Sequence, residues 1–258
     1  MGQYCTAERD NHLLIVTINR PEVMNALHPP ANRELSEVFD AFAADPDLWV
    51  AIVTGAGDRA FSAGNDLKYQ ATGGDMSAQP ATGFGGLTSR WDLHKPVIAA
   101  VNGVAMGGGF EIALACDIII AAENARFALP EVRVGLAALA GGLLRLPRTI
   151  GTKRAMGMIL TGRHVPAAEG YDLGFVTEVV PEGEALTAAR RWASMILEVS
   201  PMSVRASKQV VYESFEHGGI RAATEARYSE VAAMRTSEDF IEGPRAFAEK
   251  RPPQWKGR

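Results

Sequence analysis

The chain has 258 residues, of which 47% are hydrophobic and 22% charged, and this is enough for one α/β domain with a sizeable core. The formal net charge of −4 disfavours nucleic acid as the main partner. We expect a cytoplasmic protein without membrane association, because the sequence contains neither a signal-like leader nor about 18 consecutive apolar residues.

Hydrophobic periodicity predicts an α/β fold in which strands and helices alternate over most of the chain. Predicted strands cover residues 13–18, 49–54, 96–101, 117–122 and 175–180. Predicted helices cover residues 30–44, 110–115, 143–150, 153–160 and 167–173. The strand–helix–strand order indicates βα units with right-handed crossovers.

From Pro181 onward the pattern predicts helices only, over residues 182–198, 201–217, 219–236 and 238–249. We place a change of organisation near Ser200 and Pro201. Residues 71–86 are rich in small polar residues and have no periodic apolar pattern, which is typical of a loop. Two interpretations stay open for this loop, a surface insertion or a lid over a binding pocket.

The most informative segment runs from Asn102 to Glu131. Gly107, Gly108 and Gly109 stand between a predicted strand and a predicted helix, where main-chain N–H groups can face an anion. Glu111 follows two residues into that helix, and Glu131 lies 20 residues further (131 − 111 = 20). Anion-stabilising amides beside two carboxylates suit a reaction that passes through an enolate.

Three segments at these positions resemble the signature segments of the enoyl-CoA hydratase/isomerase (crotonase) superfamily. They are Phe61-Ser-Ala-Gly-Asn-Asp-Leu67, the segment from Gly107 to Glu111, and Leu129-Pro-Glu131. The resemblance covers nearly the whole chain. Within the family the chain is most similar to carnitinyl-CoA dehydratase-like members, on residues 61–68, 83–87, 127–131 and 242–251.

The resemblance implies a crotonase (ClpP/crotonase-like) fold, which is a spiral of ββα units followed by a helical segment. We therefore assign residues 1–198 to the spiral core and residues 199–258 to a C-terminal helical trimerisation segment. The resemblance also implies a homotrimer or a hexamer made of two trimers, and a role in fatty acid metabolism.

The resemblance further implies a hydro-lyase that adds water reversibly, in syn geometry, to a 2-enoyl-CoA thioester. The main-chain amides of Asn65 and Gly108 would form the oxyanion hole for the thioester oxygen. Glu111 and Glu131 would be the two acid/base groups, with pKa values raised by an apolar wall. Four residues are candidates for that wall: Phe110, Phe127, Leu129 and Leu136. Keeping both acids favours hydration or dehydration, since many family members that run other reactions lack one.

By the same resemblance, seven residues are assigned to substrate binding: Ala26, Ala63, Asp66, Leu67, Gly107, Pro130 and Leu139. No cofactor is expected, because coenzyme A is part of the substrate. The basic residues near the C-terminus, Lys250, Arg251, Lys256 and Arg258, are candidates for contacts with its phosphates. The histidines have no ligand spacing and the cysteines Cys5 and Cys116 form no metal pattern, so no metal site is predicted.

One departure from common hydratases follows Glu131. Ala138 and Leu139 occupy the positions where those enzymes carry a proline and a glycine, and we expect the Leu139 side chain to fill part of the acyl pocket. This leaves the substrate length open. No aromatic cage for a trimethylammonium group is evident, although Trp91 and Tyr69 are candidates.

Other functions fit the sequence less well. The turn Val53-Thr-Gly-Ala-Gly57 lacks the remaining glycines of a dinucleotide site, so a dehydrogenase is rejected. A serine hydrolase would need a histidine near Ser62, and the signature segments contain none. The alternatives that stay open are a carnitinyl-CoA (crotonobetainyl-CoA) dehydratase, a double-bond isomerase that needs one base, and a non-catalytic acyl-CoA-binding scaffold.

Overall fold

A computed structural model describes residues 2–258, so Met1, the first residue of the predicted core segment, lies outside the described residues. The chain forms ten strands and eleven α-helices within this range. The strands are β1 (Cys5–Asp10), β2 (Leu13–Ile18), β3 (Val50–Gly55), β4 (Ala60–Ser62), β5 (Val97–Val101), β6 (Val104–Met106), β7 (Ile118–Ala122), β8 (Arg126–Ala128), β9 (Val165–Pro166) and β10 (Glu178–Val180).

The helices cover the regions between the strands and the whole C-terminal part. They are α1 (Pro29–Ala44), α2 (Leu67–Ala71), α3 (Gly108–Ala115), α4 (Gly142–Ile150), α5 (Thr152–Ile159), α6 (Ala167–Leu173), α7 (Ala185–Leu197), α8 (Pro201–Glu213), α9 (Ile220–Glu225), α10 (Ser229–Arg235) and α11 (Glu238–Glu249). Short 3-10 helices lie at Pro21–Val23, Phe84–Gly86, Pro130–Val134 and Ser214–Glu216. No helix in residues 2–258 is long and apolar enough to cross a bilayer.

Two sheets form the centre of the fold. The larger sheet has the order β1-β2-β3-β5-β7-β10, and the smaller one has the order β4-β6-β8-β9. In the larger sheet β1 is antiparallel to β2, and all other neighbours are parallel. Strands β3, β5 and β7 are each followed directly by a short strand of the smaller sheet and then by a helical segment. This repetition is the ββα spiral that the resemblance implied.

Both faces of the central strands of the larger sheet, β2, β3, β5 and β7, are largely buried because these strands are apolar on both sides, whereas the edge strand β1 is mostly exposed. Leu14, Val16 and Ile18 of β2 face the main core, whereas Leu13 and Ile15 face a second core against α7. Alanines dominate the side of α7 that faces the sheet, which allows the helix to lie close to it. The result is a rigid sheet whose strand ends carry the functional loops.

The long strands and helices of the sequence prediction are confirmed to within three residues at most ends, but several short elements were missed. Strands β1, β4, β6, β8 and β9 were not predicted, and four of them have only two or three residues. Such short strands show no measurable alternation, so only their neighbours reveal them. The predicted strand 175–180 is shorter than expected, because Phe175 and Val176 donate their N–H groups to Gly170 O at the end of α6.

The predicted helix 219–236 is two helices, α9 and α10, separated by an extended link. Tyr228 precedes α10 with φ −116° and ψ 124°, and its hydroxyl donates to Ala223 O at 2.8 Å. The tyrosine ring is 9% exposed. Burial of this ring against the preceding helix accounts for the break.

Candidate active site

The candidate site is built around the first turn of α3. Gly107 joins β6 to α3 with φ 53°, a conformation that favours glycine, and its N–H donates to Ala128 O at 2.9 Å. The next residue, Gly108, is therefore the first of the helix, and Glu111 projects from the first turn. Glu111 is 3% exposed. The strand–glycine–helix arrangement predicted for this segment is confirmed.

A second glycine turn meets the first. Gly64 has φ 84°, and a Cβ at this position would lie 2.8 Å from Gly108 N. The close approach places Asn65 beside the start of α3. Asn65 is held by Leu27, whose N–H donates to Gly64 O at 2.7 Å and whose carbonyl accepts from Asp66 N at 2.9 Å.

Two main-chain donors are consequently unengaged at this junction. Within residues 2–258, the N–H groups of Asn65 and Gly108 have no hydrogen-bond acceptor. Unpaired N–H groups at a helix start form a favourable site for negative charge, because the helix dipole adds to their own polarity. The pair can therefore bind a developing oxyanion.

The Glu111 carboxyl group lies in a mostly apolar environment and accepts a hydrogen bond from the main chain. Its Oε1 accepts from Gly142 N at 2.8 Å. Burial raises the pKa of Glu111 to about 7, the Gly142 N–H opposes that rise, and the negative charge of Glu131 adds to it. Phe110 and Phe127, two predicted wall residues, are fully buried in the adjoining core.

Glu131 lies on the other side of the same turn. Burial raises the pKa of this carboxyl as well, and its Oε2 is buried without a hydrogen-bond partner in the described residues. A Cβ on Gly107 would stand 2.8 Å from Glu131 Oε1. Pro130 starts the short helix that presents the glutamate. Both carboxyl groups thus border the start of α3, next to the Asn65 and Gly108 amides.

The remaining predicted substrate-binding residues lie on the segments that flank Asn65. Arg20 connects these segments, because its Nη1 donates to Ala26 O and to Asp66 Oδ2, the latter at 3.0 Å. Asp66 also caps α2 by accepting from Tyr69 N. Ala63 directly precedes Gly64 and Asn65, and Leu67 is 45% exposed at the start of α2.

The Leu139 side chain points away from the core of the single chain. It is 82% exposed, whereas Ala138 is 3% exposed and takes the buried place in the loop after Glu131. The expectation that Leu139 fills part of the acyl pocket stays a prediction. Leu136, the fourth predicted wall residue, is also exposed. The loop turns these two side chains outward because the smaller alanine packs inward.

The loop 71–86 is attached to α1 and brings an aromatic ring to the site. Gln79 accepts from Asn32, and the Thr82 and Ser36 hydroxyls lie 2.7 Å apart. The Phe84 ring occupies the space that a Cβ on Gly108 would need. The loop therefore forms a wall beside the oxyanion position. This role of Phe84 was not predicted, because the sequence of residues 83–87 does not indicate which turn its ring covers.

Two further predictions concerned cations and aromatic rings. Arg251 is paired with Glu242 at 2.6 Å, and Gly257 lies against Trp49 at the start of β3. That end of the sheet is opposite to the one that carries the candidate site, so the C-terminal cations do not reach it within one chain. Tyr69 contacts His28, whereas the Trp91 ring lies under the Arg145 guanidinium, so the two rings have different partners.

No group of three His, Cys, Asp or Glu side chains in residues 2–258 is arranged to hold a metal ion.

Gly142 is a second residue that sequence reasoning missed. Its N–H holds the Glu111 carboxylate, and a Cβ there would lie 3.0 Å from Glu111 Cγ. The Gly141-Gly142 pair is evident in the sequence, but nothing in the sequence indicates that the Gly142 N–H binds Glu111.

Comparison with known proteins gives consistent results over the whole chain. The family described as enoyl-CoA hydratase/isomerase matches residues 8–258. A protein named carnitinyl-CoA dehydratase from Salmonella enteritidis is 43% identical over 262 residues, covering 100% of both chains. One of the same name from Escherichia coli O157:H7 is 44% identical over 267 residues, again with full coverage of both chains.

Solved structures share the fold at comparable identity. An enoyl-CoA hydratase from Mycobacterium tuberculosis H37Rv superposes with a TM-score of 0.93 at 39% identity and full coverage of both chains. A carnitinyl-CoA hydratase from Mycobacterium avium superposes with a TM-score of 0.79 at 40% identity, also with full coverage of both chains. The fold is therefore that of the crotonase spiral.

Proposed function

Because the chain belongs to the enoyl-CoA hydratase/isomerase family, we propose that it is a hydro-lyase that adds water reversibly to a 2-enoyl-CoA thioester. One observation carries the proposal. The buried carboxyl group of Glu111 and the half-buried one of Glu131 border the same helix start at which the N–H groups of Asn65 and Gly108 are unengaged.

The amides act on the thioester oxygen. Attack of water at the β-carbon pushes electrons onto this oxygen, and the enolate that forms is stabilised by the N–H groups of Asn65 and Gly108. Each preorganised donor of this kind contributes about 3 kcal/mol to transition-state stabilisation. The donors need no reorganisation, because Gly64, Gly107 and the Leu27 main chain hold them in place.

The carboxyl groups divide the proton transfers. One carboxylate takes a proton from water as its oxygen bonds to the β-carbon, and the other carboxylic acid delivers a proton to the α-carbon. Burial raises the pKa of Glu111 to about 7 and raises that of Glu131 as well, so a protonated carboxyl group is accessible near neutral pH for the acid step. Dehydration uses the same steps in reverse.

For the substrate, we propose a short, uncharged enoyl group, with a carnitinyl-type substrate as the alternative. The names of the relatives favour the alternative. The Arg145 guanidinium over the Trp91 ring favours an uncharged group, because a cation of the protein already occupies the position on this ring that a trimethylammonium ion would take. Double-bond isomerisation is less well supported, since it would leave one of the two acids without a role.

We also propose that the protein assembles as a trimer or as a dimer of trimers through residues 199–258. Large apolar side chains on the C-terminal helices are exposed in the single chain, which supports a covered surface in an oligomer. Among them are Val211, Phe215, Ile220, Phe240, Ile241 and Phe247. Sedimentation equilibrium of the full chain tests this, and a monomer at micromolar concentration would contradict it.

The enzyme proposal is tested by mixing purified protein with crotonyl-CoA and crotonobetainyl-CoA and following loss of the enoyl thioester absorbance. We expect Glu111→Gln and Glu131→Gln each to lower kcat by at least about 100-fold, because each removes a proton-transfer group. Near-native turnover in either variant would exclude the two-carboxylate mechanism. Binding of both substrates without turnover by the wild type would favour a scaffold.

A further inference from the structure

A large groove lies beyond the candidate site and has no role in the mechanism above. Its volume is about 630 Å³, which is in the range of small-molecule pockets. It is bounded by the loop after Phe84–Gly86, the end of α3, one side of α4, and the end of α8. Apolar side chains, among them Leu87, Leu114 and Phe175, form most of its exposed wall, and charged ones, among them Asp117, Lys208 and Glu213, also line it.

The groove begins within one helical turn of the catalytic acid. Leu114 and Ala115, which line it, stand three and four residues after Glu111 and therefore share its face of α3. An acyl chain whose β-carbon is at Glu111 would need to extend by only a few methylene groups to enter. Its apolar walls suit a hydrocarbon chain.

Arg145 lies between the groove and the acid. Its guanidinium lines the groove and stacks over the Trp91 ring with its Cζ 5.1 Å from the centroid. Its Nη1 occupies the space directly above Gly141, the residue before the Gly142 amide that binds Glu111. A side chain in this position separates the two spaces.

A hydrogen bond fixes the guanidinium in that place. Arg145 Nη2 donates to Thr88 O at 2.9 Å, and the Thr88 hydroxyl accepts from Phe84 N at 2.8 Å. Phe84 is the residue whose ring covers Gly108. Arg145 thus connects α4 to the loop that contains Thr88, and its side chain lies across the gap between these two segments.

We infer that Arg145 is a chain-length gate, which restricts the enzyme to short acyl groups by separating the active site from a groove that would otherwise accept a longer chain. The inference rests on the proposed function and extends it by naming a specificity-determining residue. Arg145 acts on the acyl tail rather than on the reacting atoms.

The test compares hydration of crotonyl-CoA and trans-2-decenoyl-CoA by the wild type, Arg145→Ala and Arg148→Ala. Arg148 is the matched control, because it lies on α4 and lines the same groove but is exposed. We expect the wild type to prefer crotonyl-CoA at least tenfold in kcat/KM. Each methylene buried in an opened groove favours binding by roughly fourfold.

Arg145→Ala is therefore expected to raise the decenoyl-to-crotonyl ratio of kcat/KM at least tenfold, and Arg148→Ala to leave it within about twofold. If Arg145→Ala is too unstable to purify, Arg145→Met is used in its place. This variant keeps most of the side-chain bulk but cannot bond to Thr88, and we expect it to raise the decenoyl-to-crotonyl ratio at least threefold. An unchanged ratio, an equal effect of Arg148→Ala, or a wild type that already accepts the long chain would overturn the gate.

Failure of the proposed function gives a different result. If the wild type hydrates neither thioester, the hydratase assignment is wrong and the gate is judged by calorimetric binding of butyryl-CoA and decanoyl-CoA. A gain in decanoyl-CoA affinity of at least tenfold in Arg145→Ala, relative to butyryl-CoA, would support it. Equal affinities in both proteins would reject it.

Discussion

The ionisation of Glu111 should make the folded protein less stable as pH rises, and replacing the carboxyl should remove that effect. The pKa of Glu111 is raised from 4.5 to about 7 by burial, so the folded state binds its proton more tightly than the unfolded state does. The contribution of this proton to the free energy of unfolding is therefore fully present below pH 4.5 and is lost as the pH rises to about 7. Glu111→Gln cannot ionise and lacks this loss.

The magnitude follows from the two pKa values. The ionisation of Glu111 lowers the free energy of unfolding by about 1 kcal/mol at about pH 5 and by about 3 kcal/mol at about pH 8. Relative to the wild type, Glu111→Gln should thus gain roughly 2 kcal/mol between these two pH values. The weaker bond from Gly142 N to a neutral amide acts at both pH values and cancels in the difference.

Urea unfolding of the wild type and the variant at the two pH values, followed by circular dichroism, measures this quantity. Glu22→Gln is the matched control, because Glu22 is exposed. A stability difference between Glu111→Gln and the wild type that is the same at both pH values would refute this prediction.

Three further predictions concern the same site. Because one carboxyl group must carry a proton and the pKa of Glu111 is about 7, kcat/KM for hydration should fall above about pH 7, and a flat stopped-flow profile through pH 8 would contradict this pKa. Gly142→Ala should lower kcat about tenfold or more with little change in far-UV circular dichroism, because the added Cβ would displace the Glu111 side chain. Gly157→Ala is the control and should stay active, because the space around Gly157 is open. Arg20→Met leaves the nearly buried Asp66 carboxylate unpaired and should cost about 3 kcal/mol in urea unfolding, and a loss below about 1 kcal/mol would show that the pair is unimportant.

Much of this protein is determined by the local sequence. The long strands and the helices α1 and α7 were predictable, because each carries enough apolar residues to show its period. The glycine turn at Gly107 was predictable for a different reason, since a strand, a glycine run and a helix follow one another directly. The three signature segments also placed Glu111 and Glu131 in one family pattern before any geometry was known.

The tertiary structure alone decided how these parts meet. The second sheet consists of strands too short to have a pattern, and it exists because neighbouring strands satisfy one another's main-chain groups. The Gly142 amide on Glu111, the Phe84 ring on Gly108 and the position of Arg145 all join residues more than 20 positions apart. Contacts of this kind depend on packing between distant segments, and for the same reason the outward orientation of Leu139 could not be read from its place in the motif. Local propensity specifies elements, whereas the raised pKa of a carboxyl group depends on which distant residues exclude water from it.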